Sequence, residues 1–198
     1  MTKIDVCNMA LGYLNVGRIK SLEEDAAEAK LCDMYYDMVR KRILRMYSWG
    51  FARRTEKLTR VRTLLPGWAY VYAYPARAIL VRFVFDAEHA REREMHRQEF
   101  YITQLDGTGL IIGSDVEHAW AEYTMDKTEV STMPVEFINA LSHMLASEMA
   151  MTLTGNTELM NIHLQLARAA IDTAKHQDAV EGERETLYPQ TYANARFS

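Results

Sequence analysis

Between Trp68 and Met125 the chain switches to short β-prone runs, rich in branched and aromatic residues. The segments on either side carry the three-and-four spacing of amphipathic helices. Such an order is incompatible with an all-helical bundle and with an all-β sandwich. Trp68 to Pro75 is aromatic and β-prone, and Pro75 ends it. Ala78 to Phe85, Glu99 to Leu105 and Ala119 to Met125 read as further strands. Asp106-Gly107-Thr108-Gly109 reads as a tight turn into Leu110-Ile111-Ile112. These runs predict a small, mainly antiparallel β unit over 64–126, with the charged run Glu88 to Arg97 as a loop or exposed strand start.

The flanks predict four helices. Thr2 with Asp5 forms a capping-box pattern that opens a helix over 2–15. Ser21 with Glu24 repeats the pattern and predicts a long helix over about 22–47. Ala27, Leu31, Met34, Tyr35 and Met38 form an apolar stripe on that helix. Pro134 suits the first turn of a third helix running to Thr154, closed by Gly155. A fourth starts at Asn156 or Thr157 and ends at Gly182. The expected fold is therefore α+β: a four-helix core (1–63 and 127–182), a β-rich insertion (64–126), and an extended C-terminal arm (183–198). In the arm, Tyr188, Tyr192 and Phe197 stand among the few apolar anchors.

A chain of 198 residues with 48% apolar and 25% charged residues has enough material for a real core. No apolar run approaches the roughly 18–20 residues of a bilayer span, and no secretory signal is expected at the N-terminus. Two cysteines, Cys7 and Cys32, are too few for a disulfide framework and read as small buried thiols. Of the 12 methionines, Met34, Met38, Met144, Met149, Met151 and Met160 fall largely on helical faces; most read as core filler and some as adaptable subunit contacts.

Charge is distributed unevenly. Nine basic residues from Arg40 to Arg62 face one acid, Glu56, giving a local +8 in a chain of net charge −4, so the remainder sums to −12. Part of this band sits at the end of the second helix, where cations complement the helix dipole. A basic band against an acidic remainder also suits head-to-flank pairing of copies. On that reading Arg42, Arg45, Arg53 and Arg54 are the candidate ring-interface residues. The band suits equally a sequence-independent nucleic-acid binder, with Trp68, Tyr70, Tyr72 and Tyr74 as base-stacking rings. The competing reading of those rings is the inner face of a small sheet or a protein interface.

Catalytic patterns fail on their chemistry. Gly113-Ser114-Asp115 lacks the flanking glycine of a nucleophile elbow, and Gly107-Thr108-Gly109 lacks the Gly-Lys-Ser/Thr ending of a phosphate loop. The six histidines show no helical pair three or four apart, and His89, Glu92 and His96 make the nearest thing to a metal cluster. No enzyme, metal or cofactor is expected.

The order Cys7-Asn8-Met9-Ala10-Leu11-Gly12-Tyr13-Leu14, Gly17-Arg18-Ile19, Ser21-Leu22-Glu23-Glu24, Arg42-Ile43-Leu44-Arg45 and Trp49-Gly50-Phe51-Ala52-Arg53-Arg54 resembles the head-to-tail adaptors of short-tailed bacteriophages, the tail tubular protein A family. Tyr72-Ala73-Tyr74-Pro75 and Pro134-Val135-Glu136-Phe137 fit the same order, so the likeness spans most of residues 4–160. The resemblance implies a virion component made in the host bacterial cytoplasm. Such a protein forms a twelve-fold ring beneath the portal, extends the DNA channel and carries the tail nozzle. It implies the portal as the partner of Tyr188, Tyr192 and Phe197. The position of the β unit and its aromatic content, Trp68, Tyr70 and Tyr72, place it on the tail-facing or neighbour-facing surface. Genomic DNA would pass through the ring, and no membrane is involved.

Overall fold

The computed structural model describes residues 1–89, 97–105, 107 and 109–182. Over these the chain is mixed α/β, with four α-helices and two small antiparallel sheets of three strands each.

Helix α1 (Lys3–Tyr13) starts as expected. The Thr2 hydroxyl accepts from the Asp5 N–H, and the Asp5 carboxylate accepts from the Thr2 N–H at 2.7 Å. Asn8 then ties the following turn to the helix, donating to the Ile19 carbonyl and accepting from the Ile19 N–H, both at 2.9 Å.

Helix α2 (Ala27–Met46) starts later than the 22 expected from Ser21 and Glu24. Glu24 is turned back onto the N–H groups of Lys20 and Ser21 at 2.6 and 2.8 Å, and the Glu23 N–H donates to the Ser21 hydroxyl. Those bonds close a turn of their own, so the pattern caps no helix. The expected apolar stripe of α2 meets the core only at its margin, where Leu31 and Tyr35 pack half-buried. Met34 is 66% exposed and Met38 43%, while Ala29, Cys32, Tyr36, Val39, Ile43 and Leu44 fill the opposite face and are buried. Met34 and Met38 are therefore surface residues, not core filler; Met144 and Met149 do serve as core.

Helix α3 (Val135–Thr154) is buried along nearly its whole length, as its apolar content on all sides requires. Gly155, at φ 65°, closes it by donating to the Met151 carbonyl at 3.0 Å. Helix α4 (Thr157–Gly182) follows at once. The Asn156 side chain caps it, accepting from the N–H groups of Glu158 and Leu159 at 2.9 and 3.1 Å. α1, α2 and α4 all pack on α3, whereas α2 and α4 make no substantial contact with each other.

The strands are β1 (Arg53–Lys57), β2 (Tyr70–Ala73), β3 (Ala78–Phe85), β4 (Phe100–Leu105), β5 (Gly109–Ser114) and β6 (Trp120–Met125). One sheet has the order β1-β6-β3 and the other β2-β5-β4. The expected antiparallel β unit is thus two sheets, and its first strand begins at Arg53, before residue 64. The strand β1 reads Arg-Arg-Thr-Glu-Lys, without apolar alternation, because it is a wholly exposed edge after its first residue. Tyr72, Val81, Val84, Ile112, Ala121 and Tyr123 join both sheets in one apolar cluster.

The first sheet docks on the C-terminal end of α2 through Arg82. Its guanidinium donates to the carbonyls of Tyr47, Leu44 and Arg45, and to the Thr124 hydroxyl at 2.8 Å. These carbonyls have lost their helical partners, and Arg82 satisfies them from the neighbouring strand. Burial lowers the Arg82 pKa below its ordinary value, while Glu122 opposes that shift.

Candidate functional site

The basic band divides where the helix ends. Arg40 is buried, 1% exposed, and it donates to Asp37 at 3.0 and 3.1 Å, to Asp126 at 2.6 Å and to the Lys127 carbonyl. Burial opposes ionisation of Asp37, yet Arg40 and Lys3 hold its carboxyl below the usual carboxylate range. Lys41 pairs with Asp126 at 3.6 Å, Arg42 pairs with Glu148, and Arg45 donates to the Ile79 carbonyl at 2.5 Å. Two of the four candidate ring residues, Arg42 and Arg45, are thus engaged within the chain. The other two, Arg53 and Arg54, lie on the exposed edge strand β1, Arg53 half-buried and Arg54 exposed.

Lys57 ends β1, and Arg60 and Arg62 follow it, all three exposed. The chain passes from the first sheet to the second at Leu58, whose N–H donates to the Ala119 carbonyl at 2.8 Å. Arg60 then bridges Tyr72 and lays its guanidinium 4.7 Å from the Tyr70 ring centroid. An open cleft of about 990 Å³ lies here, lined by Arg60, Arg62, Leu64 and Tyr70 among others.

The aromatic run does not form one exposed face. Tyr72 is 1% exposed, and its hydroxyl donates into the carbonyls of Val116 and Glu117 at 2.5 and 2.6 Å. Tyr70 and Tyr74 pack half-buried against the same cluster. Trp68 is half-buried beside the second sheet and lies over Gly113, where an added Cβ would fall 2.7 Å from its Cγ. Tyr72 is therefore an anchor between the sheets and offers no ring to a base or a tail protein. Tyr188, Tyr192 and Phe197 lie outside the described residues, as does most of the expected His89, Glu92 and His96 cluster.

One group escaped the sequence reading, whereas the two cysteines are the buried thiols that it expected. His143 on α3 and His163 on α4 bring their Nδ1 atoms to 3.2 Å, and Tyr13 of α1 stacks on His143 at 4.3 Å. The residues are 20 apart in sequence, so only the turn at Gly155 and Asn156 brings them together. Cys7 and Cys32 are both fully buried, and Cys32 reaches the Met149 sulfur at 3.7 Å. Its hydrogen bond with Cys32, then burial, push the Cys7 thiol far above its usual pKa, so it stays protonated. Among the described residues no group of three or more His, Cys, Asp or Glu is placed to hold a metal ion, and no helix is long and apolar enough to cross a membrane.

Neither a protein-family model nor any curated protein matches the chain.

Proposed function

We propose that this chain is a ring-forming structural subunit, a head-to-tail adaptor of the bacteriophage type, seated in the virion between the portal and the tail nozzle. The observation that carries the reading is the pair of unlike apolar faces on separate flanks of α3. On α2, Met34 and Met38 stand one turn apart and exposed, with Leu31 and Tyr35 half-buried beside them. On α4, Ile162 and Leu166 also stand one turn apart, 42% and 44% exposed, with Leu159 half-buried on the same stripe. Two different faces that each seek cover favour a head-to-tail contact, and a head-to-tail contact that closes makes a ring.

On this reading the four helices form the subunit's core and the two sheets its inserted lobe. Arg53 and Arg54, on the free edge of β1, add a basic rim to the subunit contact. Residues 183–198, with Tyr188, Tyr192 and Phe197, reach the portal as an extended arm. The lobe contacts the nozzle through exposed residues other than Tyr72. DNA passes through the channel, held weakly or not at all by the subunit. The order of sequence motifs is the second support.

The rival reading, a sequence-independent nucleic-acid binder, keeps only Arg53, Arg54, Lys57, Arg60 and Arg62, since Arg40, Lys41, Arg42 and Arg45 are engaged by groups of the chain itself. The deciding experiment adds the purified chain to purified portal and images the particles. A second ring stacked on the portal, with the same number of copies, is expected. Portal particles that stay bare at saturating subunit would overturn the reading.

A further inference from the structure

The cleft beside the second sheet is built to hold something, and its construction says what. After Leu58 the chain runs antiparallel to β2: the Val61 N–H donates to the Val71 carbonyl at 2.9 Å, and the Thr59 carbonyl accepts from the Ala73 N–H at 2.8 Å. In that pattern Thr59 and Val61 turn their backbone groups toward β2, and Arg60, between them, turns its own outward. Among the described residues the Arg60 N–H and C=O take part in no hydrogen bond, and neither Arg60 nor Arg62 is in an ion pair.

The loop that follows is pinned on its other side. The Trp68 N–H donates to the Leu65 carbonyl at 3.1 Å, the Ala69 N–H donates to Asp115 at 3.0 Å, and the side chains of Leu65 and Trp68 both press on Gly113. Leu64, caught between the pinned turn and Arg62, is left 94% exposed. Among the described residues no acidic side chain lines the cleft. The cleft therefore combines two guanidinium groups that no described acid pairs with, that of Arg60 held in place by its contact with Tyr70. Beside them lie the outward backbone groups of Arg60 and the projecting side chain of Leu64.

We infer that this cleft is a docking site for an extended peptide segment of a partner protein, one that carries a carboxylate next to an apolar side chain. The carboxylate pairs with Arg60 and Arg62, the segment's backbone meets the outward groups of Arg60, and its apolar side chain covers Leu64. A nucleic acid fits less well. Arg60 already occupies the Tyr70 ring that a base would stack on, and Leu64 offers apolar surface to which phosphate and sugar contribute nothing. The pinned loop reduces the ordering cost of binding. The site does not depend on ring formation and is measured on the single chain.

The test is selection from a random seven-residue peptide library on the immobilised full-length chain. Enrichment of Asp or Glu adjacent to a branched or aromatic residue is expected. Arg60→Glu with Arg62→Glu, both at exposed positions, is expected to weaken the best selected peptide by about tenfold or more and to redirect selection toward Lys or Arg. Leu64→Ser should keep the acidic preference and drop the apolar one. Circular dichroism on each variant checks that the fold is retained. Selection without acidic enrichment, or identical selection by the charge-reversed variant, overturns the inference. So does a twenty-residue oligothymidylate that binds through Arg60 and Arg62 while no peptide is selected.

Discussion

The Nδ1 atoms of His143 and His163 lie 3.2 Å apart, with ring centroids 5.4 Å apart and planes within 20° of each other. That separation is what two imidazoles give when they meet edge to edge, so the pair shares one N–H···N hydrogen bond and is not a face-to-face stack. One Nδ1 donates and the other accepts. A second added proton removes the acceptor and sets two cations against each other.

An acid-sensitive α3–α4 contact follows. Burial, then the neighbouring His163, lower the His143 pKa below its ordinary 6.5. The unfolded chain thus binds a proton more readily than the fold does. The stabilising contribution is complete above about pH 6.5 and is lost as pH falls through that value toward the lower folded pKa. The Tm of the wild type should fall between pH 7.5 and 5.5. That of His143→Phe, which retains the Tyr13 ring contact, should fall less over the same range. Parallel curves for the two proteins would show that the pair carries no such linkage.

Arg40→Ala should be among the most damaging single changes. It removes a buried guanidinium, leaves Asp126, 27% exposed, with only the longer Lys41 pair, and strips the Lys127 carbonyl of its donor. A loss on the order of 3 kcal/mol is expected, read as a lower urea midpoint. Arg54→Ala, on the exposed edge of β1, should change the midpoint by less than about 0.5 kcal/mol equivalent. Equal shifts for the two would contradict the division of the basic band into an inner and an outer half.

Arg40 also shows how far the sequence was readable. The start of α1, the end of α3 and the positions of β2 to β6 follow from caps, turns and apolar runs, all of them local. The burial of α2 does not. Its sequence holds two apolar stripes, one through Leu31, Met34 and Met38 and one through Cys32, Tyr36, Val39 and Ile43, and periodicity has no means of choosing between them. The buried stripe contains Arg40, which looks like a solvent residue until Asp37 and Asp126 are seen around it. The strand β1 was hidden for the same reason in reverse, because an edge exposed on both faces carries no alternation. His143 and His163 meet only once α3 and α4 are folded back on each other, and nothing in their spacing announces it.

Gly113→Ala tests the clamp that shapes the Leu64 loop. The added Cβ would fall 2.7 Å from Trp68 Cγ and 2.8 Å from Leu65 Cδ2. A ring held in a turn does not swing away as the end of a flexible chain does, so the loop has to lift. A loss of about 1–3 kcal/mol from overpacking is expected, with a red shift of tryptophan emission as Trp68 meets water. Unchanged emission and midpoint would mean that the loop is not held by this contact.

The unlike faces of α2 and α4 make a prediction that no symmetric contact shares. Met34→Asp with Met38→Asp blocks one face, and Ile162→Asp with Leu166→Asp blocks the other. All four positions are more than 40% exposed, so each variant should fold with a near-normal midpoint. Neither variant alone should associate, because each lacks one half of every head-to-tail contact. Mixed, they retain one good α2 face and one good α4 face between them, so they should form a dimer and stop there, with no ring. Light scattering of the two variants, separately and together, distinguishes the possibilities. If the α2 face instead paired with a second α2 face, the variant altered on α4 would dimerise by itself and mixing would add nothing. A mixture that remains monomeric would remove both helices from the subunit contact.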